Sequence, residues 1–430
     1  MPPPRPPDAA PGESELRQAL VDKLKADGVI RTPTVEAAFR AVPRHLFVPD
    51  VPLADAYRDQ SIATKRVDGV AISSCSQPAM MAIMLEQLGV EPGQRVLEIG
   101  AGTGYNAALL AQLVGDTGQV VTLDIDEDLV AAARAHLAAA GCDRVAVYCG
   151  DGAAGHAPGA PYDRIILTVG APDIAPAWWQ QLAPAGRLVL PLAIGLAQKS
   201  VAFVPVGDHL QSRSLVDCGF IMLRGTLGHA VTTVPLAAEP GLLLTIAGHP
   251  AVDAAAIYGR LTGPAADLVS GVRLTVSEYW AGLGLWLTLH HPAVCSLHAE
   301  GAWADRPLAA DFLGRHGSFR YTQGLLAAQQ ICLLVRAAPA PLPADAAGDS
   351  PAFDLAIRCF GADDHLRQQL IGLIQGWDAA GRPGSRGLYI KAYPHPAVAP
   401  PAPGEITIPA RSVHLVLGWE PAPGRPPAAE

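Results

Sequence analysis

The sequence predicts an α/β protein: a doubly wound, mainly parallel sheet with helices on both faces, followed by a C-terminal α+β unit. Three observations carry that prediction. Between about residues 95 and 170, short continuously apolar runs alternate with amphipathic segments, the pattern of parallel strands buried on both faces. The stretch VLEIGAGTGYNAALLA, Val96 to Ala111, passes from such a run through three alternating glycines straight into a helical pattern. After Gly225 the texture changes to strand patterns interrupted by two isolated helical ones.

Taken in order, residues 1–13 read as a disordered tail, and Ser14 as the N-cap of a helix over ELRQALVDKLKADG, with Leu16, Leu20 and Leu24 on one edge. PTVEAAFRAV gives a second helix with Pro33 near its first turn, and QPAMMAIMLEQL a third with Pro78 near its first turn. RVLEI is a strand with an acid, Glu98, near its end, and YNAALLAQLV places Ala107, Leu110, Ala111 and Val114 at helical spacing. Gly100, Gly102 and Gly104 between them permit positive φ and a ligand held close to the main chain. A dinucleotide site uses the same kind of turn, so the turn alone leaves the cofactor class open.

The next strand, GQVVTLDID, ends in Asp124 with Ile125 beside it, about twenty residues past the glycines, where a carboxylate can take both hydroxyls of a ribose. DEDLVAAARAHLAAAG is a helix stopped by Gly141. RVAVYCGDG is a third strand ending in Asp151 and Gly152, and YDRIILTVGA a fourth ending near Thr168. AGRLVLPL, KSVAFVPVG and LQSRSLVDCGF have strand character and close the unit. Beyond it, GLLLTIAG, GLGLWLTLHH, ICLLVRA, FDLAIRCFG, GLYIKAYP and RSVHLVLGW read as strands. PAVDAAAIYGRL and DDHLRQQLIGLIQGWDAAG read as helices, the second capped by Asp363. The expected division is a doubly wound α/β unit over 14–225, a linker over 226–238, an accessory α+β unit over 239–420 and a tail over 421–430.

Several motifs carry a resemblance in order and spacing. VPRHLFVP (42–49), AYRDQSIAT (56–64), SQPAMMAIMLEQL (76–88), VLEIGAGTGY, GDG and APYDRIILTVGAPDIAPAWWQQLAPAGRLVLPL (160–192) resemble the protein-L-isoaspartate O-methyltransferase family over roughly residues 15–225. That resemblance implies a Rossmann-like sheet with a final antiparallel strand, S-adenosylmethionine as cofactor, and a peptide or protein substrate presenting an aspartyl or isoaspartyl carboxylate. It also implies that Ser76, the serine of the SQP motif, touches the reacting carboxylate. The competing reading of Ser76 is an N-cap for the helix at Pro78. Here the segment reads ISSCSQP, Ile72 to Pro78, with Ser74 and Cys75 added to the usual pattern. Cys75 reads as a small buried thiol, since methyl transfer needs no covalent intermediate. The length and the altered serine loop resemble a long, two-domain branch of the family associated with modification of ribosomally made peptides.

On the cofactor side the expected residues are Glu98 near the methionine amino end or a water bridging to it, the plainer reading being a strand-end carboxylate bonded to nearby amides; Gly100, Gly102 and Gly104 under the ligand; Tyr105 beside the methionine moiety or simply opening its helix; Asp124 at the ribose; and Ile125 beside the cofactor. Asp151 is expected at the adenine amino group, with Gly152 admitting the ring; a simple turn is the competing reading. Asp59 lies in the segment that, by resemblance, closes over the cofactor; the plainer reading is a solvated loop acid.

Composition narrows the alternatives. The 430 residues carry a net charge of −9 and no basic cluster, which argues against nucleic acid as partner. No apolar run approaches a membrane span, and MPPPRPPDAAPGESE lacks a signal-peptide core, so the expected place is the cytoplasm. Seven scattered cysteines and histidines without helical ligand spacing point to reduced thiols and no metal. Trp280, Trp286, Trp303 and Trp377 suit core packing, with a peptide groove as the other reading. The rivals to a peptide carboxyl methyltransferase are a cofactor- or peptide-binding module, a small-molecule methyltransferase and a nicotinamide dehydrogenase.

Overall fold

The computed structural model describes residues 11–67, 70–228, 231–248, 252–316, 319–327, 330–337, 351–361, 364–397 and 401–420. Among these residues the strands form three sheets. The smallest is a hairpin of β1 (Ile62–Val67) and β2 (Val70–Cys75). The strands that follow are β3 (Arg95–Ile99), β4 (Gln119–Asp124), β5 (Ala146–Cys149), β6 (Tyr162–Leu167), β7 (Leu182–Ile194), β8 (Ala197–Val206) and β9 (His209–Asp217). Then come β10 (Val231–Pro235), β11 (Leu242–Ala247), β12 (Ala265–Leu274), β13 (Val294–Ala299), β14 (Gly314–His316), β15 (Phe319–Ala327), β16 (Gln330–Arg336) and β17 (Phe353–Phe360). The last three are β18 (Leu388–Pro394), β19 (Ile406–Pro409) and β20 (Val413–Trp419).

The largest sheet has the order β19-β20-β18-β9-β8-β7-β6-β3-β4-β5. Strands β5, β4, β3, β6 and β7 run parallel, and β8 and β9 turn back antiparallel. The chain is a Rossmann-like α/β protein with an additional C-terminal sheet. Strand β3 needs its apolar run because both faces are covered: Val96 packs with the helices Pro78–Leu88 and Tyr105–Val114, and Leu97 and Ile99 pack on the opposite face. The reversal of strand order between β3 and β6 on one side and β4 on the other opens a crevice at their carboxyl ends.

The second sheet is antiparallel, β10-β11-β13-β15-β16-β17-β12, with β14 on β15. The helix Ala254–Leu261 covers one face and His365–Ala379 the other.

The expected boundaries do not follow the sheets. The first strand of the second sheet, β10, lies within the stretch assigned as linker, and β18 to β20 leave the accessory unit to extend the first sheet. Lys391 and Ala392 of β18 pair with Gln211 and Leu210 of β9, and Leu388, Ile390, Leu415 and Leu417 fill the core beneath. An alternating apolar pattern marks a strand without naming the sheet it joins.

GLGLWLTLHH is helical, not a strand: a π turn at Tyr279–Leu283 runs into the helix Gly284–His290. Leu283 and Leu287 enter the core of the second sheet while Leu285 enters that of the first. A helix wedged between two bodies is apolar on both sides, and its period is masked. Strands β12, β13 and β15 lie outside the sequence-based expectation: Asp267, Ser270 and Arg273 interrupt the apolar pattern of β12, Ser296 and His298 that of β13, and Thr322 and Gln323 that of β15.

The first helix begins at Glu13 with Gly12 as cap residue, so Ser14 sits inside its first turn. Asp363 and the tails 1–10 and 421–430 lie outside the described residues. Trp377 and Trp303 are buried, whereas Trp280 is 45% exposed and stacked on Tyr321 at 4.7 Å between centroids. No helix among the described residues is long and apolar enough to cross a membrane.

Candidate active site

A cavity of about 570 Å³ lies at the carboxyl ends of β3, β4, β5 and β6. Its floor is the glycine turn, its walls the hairpin β1–β2 and the loop to Ser76, and its cover the strip from Asp217 to Arg224. Among the expected residues it brings together Ser76, Glu98, Gly100, Gly102, Tyr105, Asp124, Ile125 and Gly152.

The turn has to be bare. Gly100 adopts φ +100°, and a Cβ there would stand 2.9 Å from both Thr168 Oγ1 and Val169 Cγ1. Thr168 Oγ1 donates to the Gly100 carbonyl at 2.6 Å, which ties the turn to the end of β6. The Gly102 N–H donates to Asp124 Oδ2 at 2.9 Å, so the turn and the acid at the end of β4 are fixed to each other. Burial pushes the Asp124 carboxyl above its ordinary value. Gly104 does not line the cavity; it starts the helix Tyr105–Val114 with φ +88°, against Ala133 and Leu137. Tyr105 is 4% exposed, its ring edge-on to Phe47 with centroids 5.5 Å apart.

Glu98 is fully buried. It accepts from Asn106 Nδ2 at 2.8 Å and from Thr122 Oγ1 at 2.6 Å, yet burial still pushes its pKa up to about 7. Neither partner was foreseen. Thr122 could have been, since it stands opposite Glu98 in the β3–β4 register, and Asn106 is two residues beyond the last glycine. Asn106 Oδ1 is buried beside Glu98 with no hydrogen-bond partner among the described residues.

The structure places Asp151 in a turn, the competing reading. Its carboxylate does not reach the cavity wall, because the N–H groups of Ala153 at 2.9 Å and Thr226 at 2.8 Å hold it in its own turn. The flanking Gly150 and Gly152 reach the wall instead.

Ser76 lies in the wall, and its capping role is taken by another residue. Asp59 Oδ1 accepts from the Ala79 N–H at 2.9 Å and Asp59 Oδ2 from Gln77 Nε2 at 3.2 Å, so the acid of the preceding segment caps the helix Pro78–Leu88. The Ser76 hydroxyl makes no hydrogen bond among the described residues. Its backbone is held by Arg44, 0% exposed, whose guanidinium donates to the carbonyls of Ala56, Arg58, Gln60, Cys75 and Ser76. Arg44 sits in VPRHLFVP without any local signal of that role.

The cover is stapled by charge. Asp126 accepts from Arg224 Nη1 at 3.1 Å and Nη2 at 2.7 Å and from Lys65 Nζ at 2.9 Å, joining the strip to the hairpin. Among the described residues no group of three or more His, Cys, Asp or Glu side chains is placed to hold a metal ion.

The family model for protein-L-isoaspartate(D-aspartate) O-methyltransferase matches residues 14–227, the stretch that builds this cavity. A protein-L-isoaspartate O-methyltransferase of Methanopyrus kandleri is 41% identical over 214 residues, 49% of this chain and 92% of that protein. The chain belongs to this family. As a family member it is a methyltransferase. A second relative of the same name, from Hyperthermus butylicus, is 40% identical over 223 residues, 50% of this chain and 90% of its own length. A solved structure titled protein-L-isoaspartate O-methyltransferase is 22% identical, with a TM-score of 0.48, and covers 87% of this chain and 96% of its own.

Proposed function

We propose that this methyltransferase esterifies an aspartyl or isoaspartyl carboxylate of a peptide, with S-adenosylmethionine as donor, and that the following backbone nitrogen then attacks the ester, methanol leaves and a succinimide closes, in the maturation of a ribosomally made peptide. The observation that carries the donor is the cavity's polar set. Asp124 stands at the end of β4 beside bare backbone, and the unpartnered Asn106 Oδ1 stands beside the buried Glu98. These residues fit a nucleoside ribose at Asp124 and an ammonium at Glu98 and Asn106. When bound, the cofactor supplies a methyl group on a positively charged sulfur, for which an ionised carboxylate is a sufficient nucleophile. The chain contributes position and exclusion of water: Gly100 and Gly102 hold the donor side, Ser76 directs its hydroxyl to the acceptor carboxylate, and the strip 217–224 covers both.

The second sheet and its helices are the proposed holder of the substrate, which is a polypeptide in the cytoplasm and not a nucleic acid. Repair of isoaspartyl residues in proteins at large is the second reading, favoured by the match of the transfer half to relatives bearing that name. Labelled cofactor offered with a simple isoaspartyl peptide, and separately with a conformationally constrained aspartyl precursor, decides between them; strong turnover of the first and none of the second defeats the maturation reading. Calorimetry with S-adenosylhomocysteine against NAD tests the cavity itself, and Asp124→Ala is expected to abolish the first binding isotherm.

A further inference from the structure

We propose that Ser385, acting with Lys199 and Asp217, is a positioning residue for the acceptor side of the cavity, so that a residue outside the family-matched stretch completes the site. The proposal rests on the reading of the cavity given above.

Asp217 ends β9 and begins the strip that covers the cavity. Lys199 on β8, only 1% exposed, donates to Asp217 Oδ1 and, at 2.8 Å, to Ser385 Oγ. The Ser385 hydroxyl lies 3.1 and 2.9 Å from the two oxygens of Asp217 and 3.0 Å from the Ala281 carbonyl, sharing its one proton among these acceptors. Its backbone N–H donates to the same Ala281 carbonyl at 2.7 Å.

The contacts join three parts of the chain. Lys199 and Asp217 belong to the first sheet, Ala281 to the π turn of the helix wedged between the sheets, and Ser385 to the connection from the helix His365–Ala379 into β18. A buried ammonium with one carboxylate and one hydroxyl is sensitive to loss of either, because the remaining charge is left short of partners. Farther along, the strip is tied by the Phe220 N–H to Gln198 Oε1 at 2.8 Å, by Gly170 to Ile221 and Leu223, and by Arg224 to Asp126. Among the described residues, the hydrogen bonds from this strip to a residue beyond 227 are those of Asp217 with Ser385. The position of the second sheet is thereby transmitted to the Asp217 end of the strip, opposite the end that Arg224 ties to Asp126 beside the ribose acid Asp124; that leaves the Asp217 end for the acceptor, while the ribose end is built from residues within 14–227.

The test uses the full chain with Ser385→Ala and Ser385→Thr, as acceptor whichever of the isoaspartyl peptide and the constrained aspartyl precursor the wild-type protein turns over faster, and S-adenosylhomocysteine as the probe of the donor side. Ser385→Ala is expected to lower kcat/KM for the peptide about tenfold, mainly through KM, with affinity for the probe within about twofold; Ser385→Thr, which keeps the hydroxyl, restores most of the loss. Amide exchange across residues 217–224 needs no acceptor and is expected to rise about tenfold in Ser385→Ala, with β4 unchanged. Unaltered exchange in the strip overturns the proposal, as does a loss of peptide activity matched by an equal loss of probe affinity. Failure of the wild-type protein to bind the probe instead overturns the reading of the cavity, and the positioning role with it.

Discussion

Arg44 Nη2 donates to the backbone carbonyl of Ser76 at 3.1 Å from a side chain that is 0% exposed. The same guanidinium holds carbonyls of the 56–60 segment, so one buried cation sets the distance between the loop bearing the hydroxyl proposed to touch the acceptor carboxylate and the segment beneath it. Arg44→Met leaves those carbonyls without their donor and is expected to cost at least about 3 kcal/mol in urea denaturation. Arg44→Lys keeps the charge without the planar fork and should fall between wild type and Met. A Lys variant as stable as wild type shows that charge alone suffices.

Ser76→Ala separates two roles that a single serine before a helix leaves entangled. Because Asp59 supplies the cap, Ser76→Ala is expected to leave stability and S-adenosylhomocysteine affinity unchanged while kcat/KM for the peptide drops about 10- to 100-fold. Asp59→Ala should do the reverse, destabilising the fold by about 1 kcal/mol. Wild-type kinetics in Ser76→Ala remove the assigned function of the hydroxyl.

What could be read in advance divides along the range of the interactions. Strands β3 to β9, the glycine turn and Asp124 are local patterns, and local patterns survive in a one-dimensional string. Glu98 was visible, but the Thr122 hydroxyl that satisfies it comes from the next strand through the register, and Asp126 takes one partner 61 residues upstream and another 98 residues downstream. The wedge helix Tyr279–His290 misled because two cores claim opposite sides of it. The return of β18 and β20 to the first sheet was invisible for a related reason: Leu388, Ile390, Leu415 and Leu417 would suit the interior of either sheet.

The meeting of Lys65 and Arg224 on Asp126 makes that carboxylate the join between hairpin and strip. Hydrogen bonding to Arg224, and then to Lys65, holds its pKa below the ordinary carboxylate value despite partial burial. Asp126→Asn is expected to speed release of S-adenosylhomocysteine about tenfold in stopped-flow displacement, with a stability change under about 1 kcal/mol, since the pairs are partly exposed. An unchanged release rate shows that the cover does not move as a unit with the hairpin.

Glu98 sets a pH signature of the fold. Burial lifts its pKa from 4.5 to about 7, so between those values the folded chain holds a proton that the unfolded chain has lost. The contribution to stability is therefore fully present below about pH 4.5 and disappears as pH rises through 7, with a span on the order of 3 kcal/mol. Glu98→Gln cannot titrate and can keep a hydrogen bond from Asn106, so its stability should lack this component. Urea denaturation of both proteins at pH 5.5 and 8 should show wild type losing ~2 kcal/mol relative to the variant over that interval. Parallel curves mean that Glu98 is ionised throughout and that Asn106 and Thr122 outweigh its burial. An ammonium bound beside Glu98 acts in the opposite sense, drawing the proton off. Calorimetry with S-adenosylhomocysteine near pH 6.5 in two buffers of different ionisation enthalpy should then register net proton release in wild type and none in Glu98→Gln.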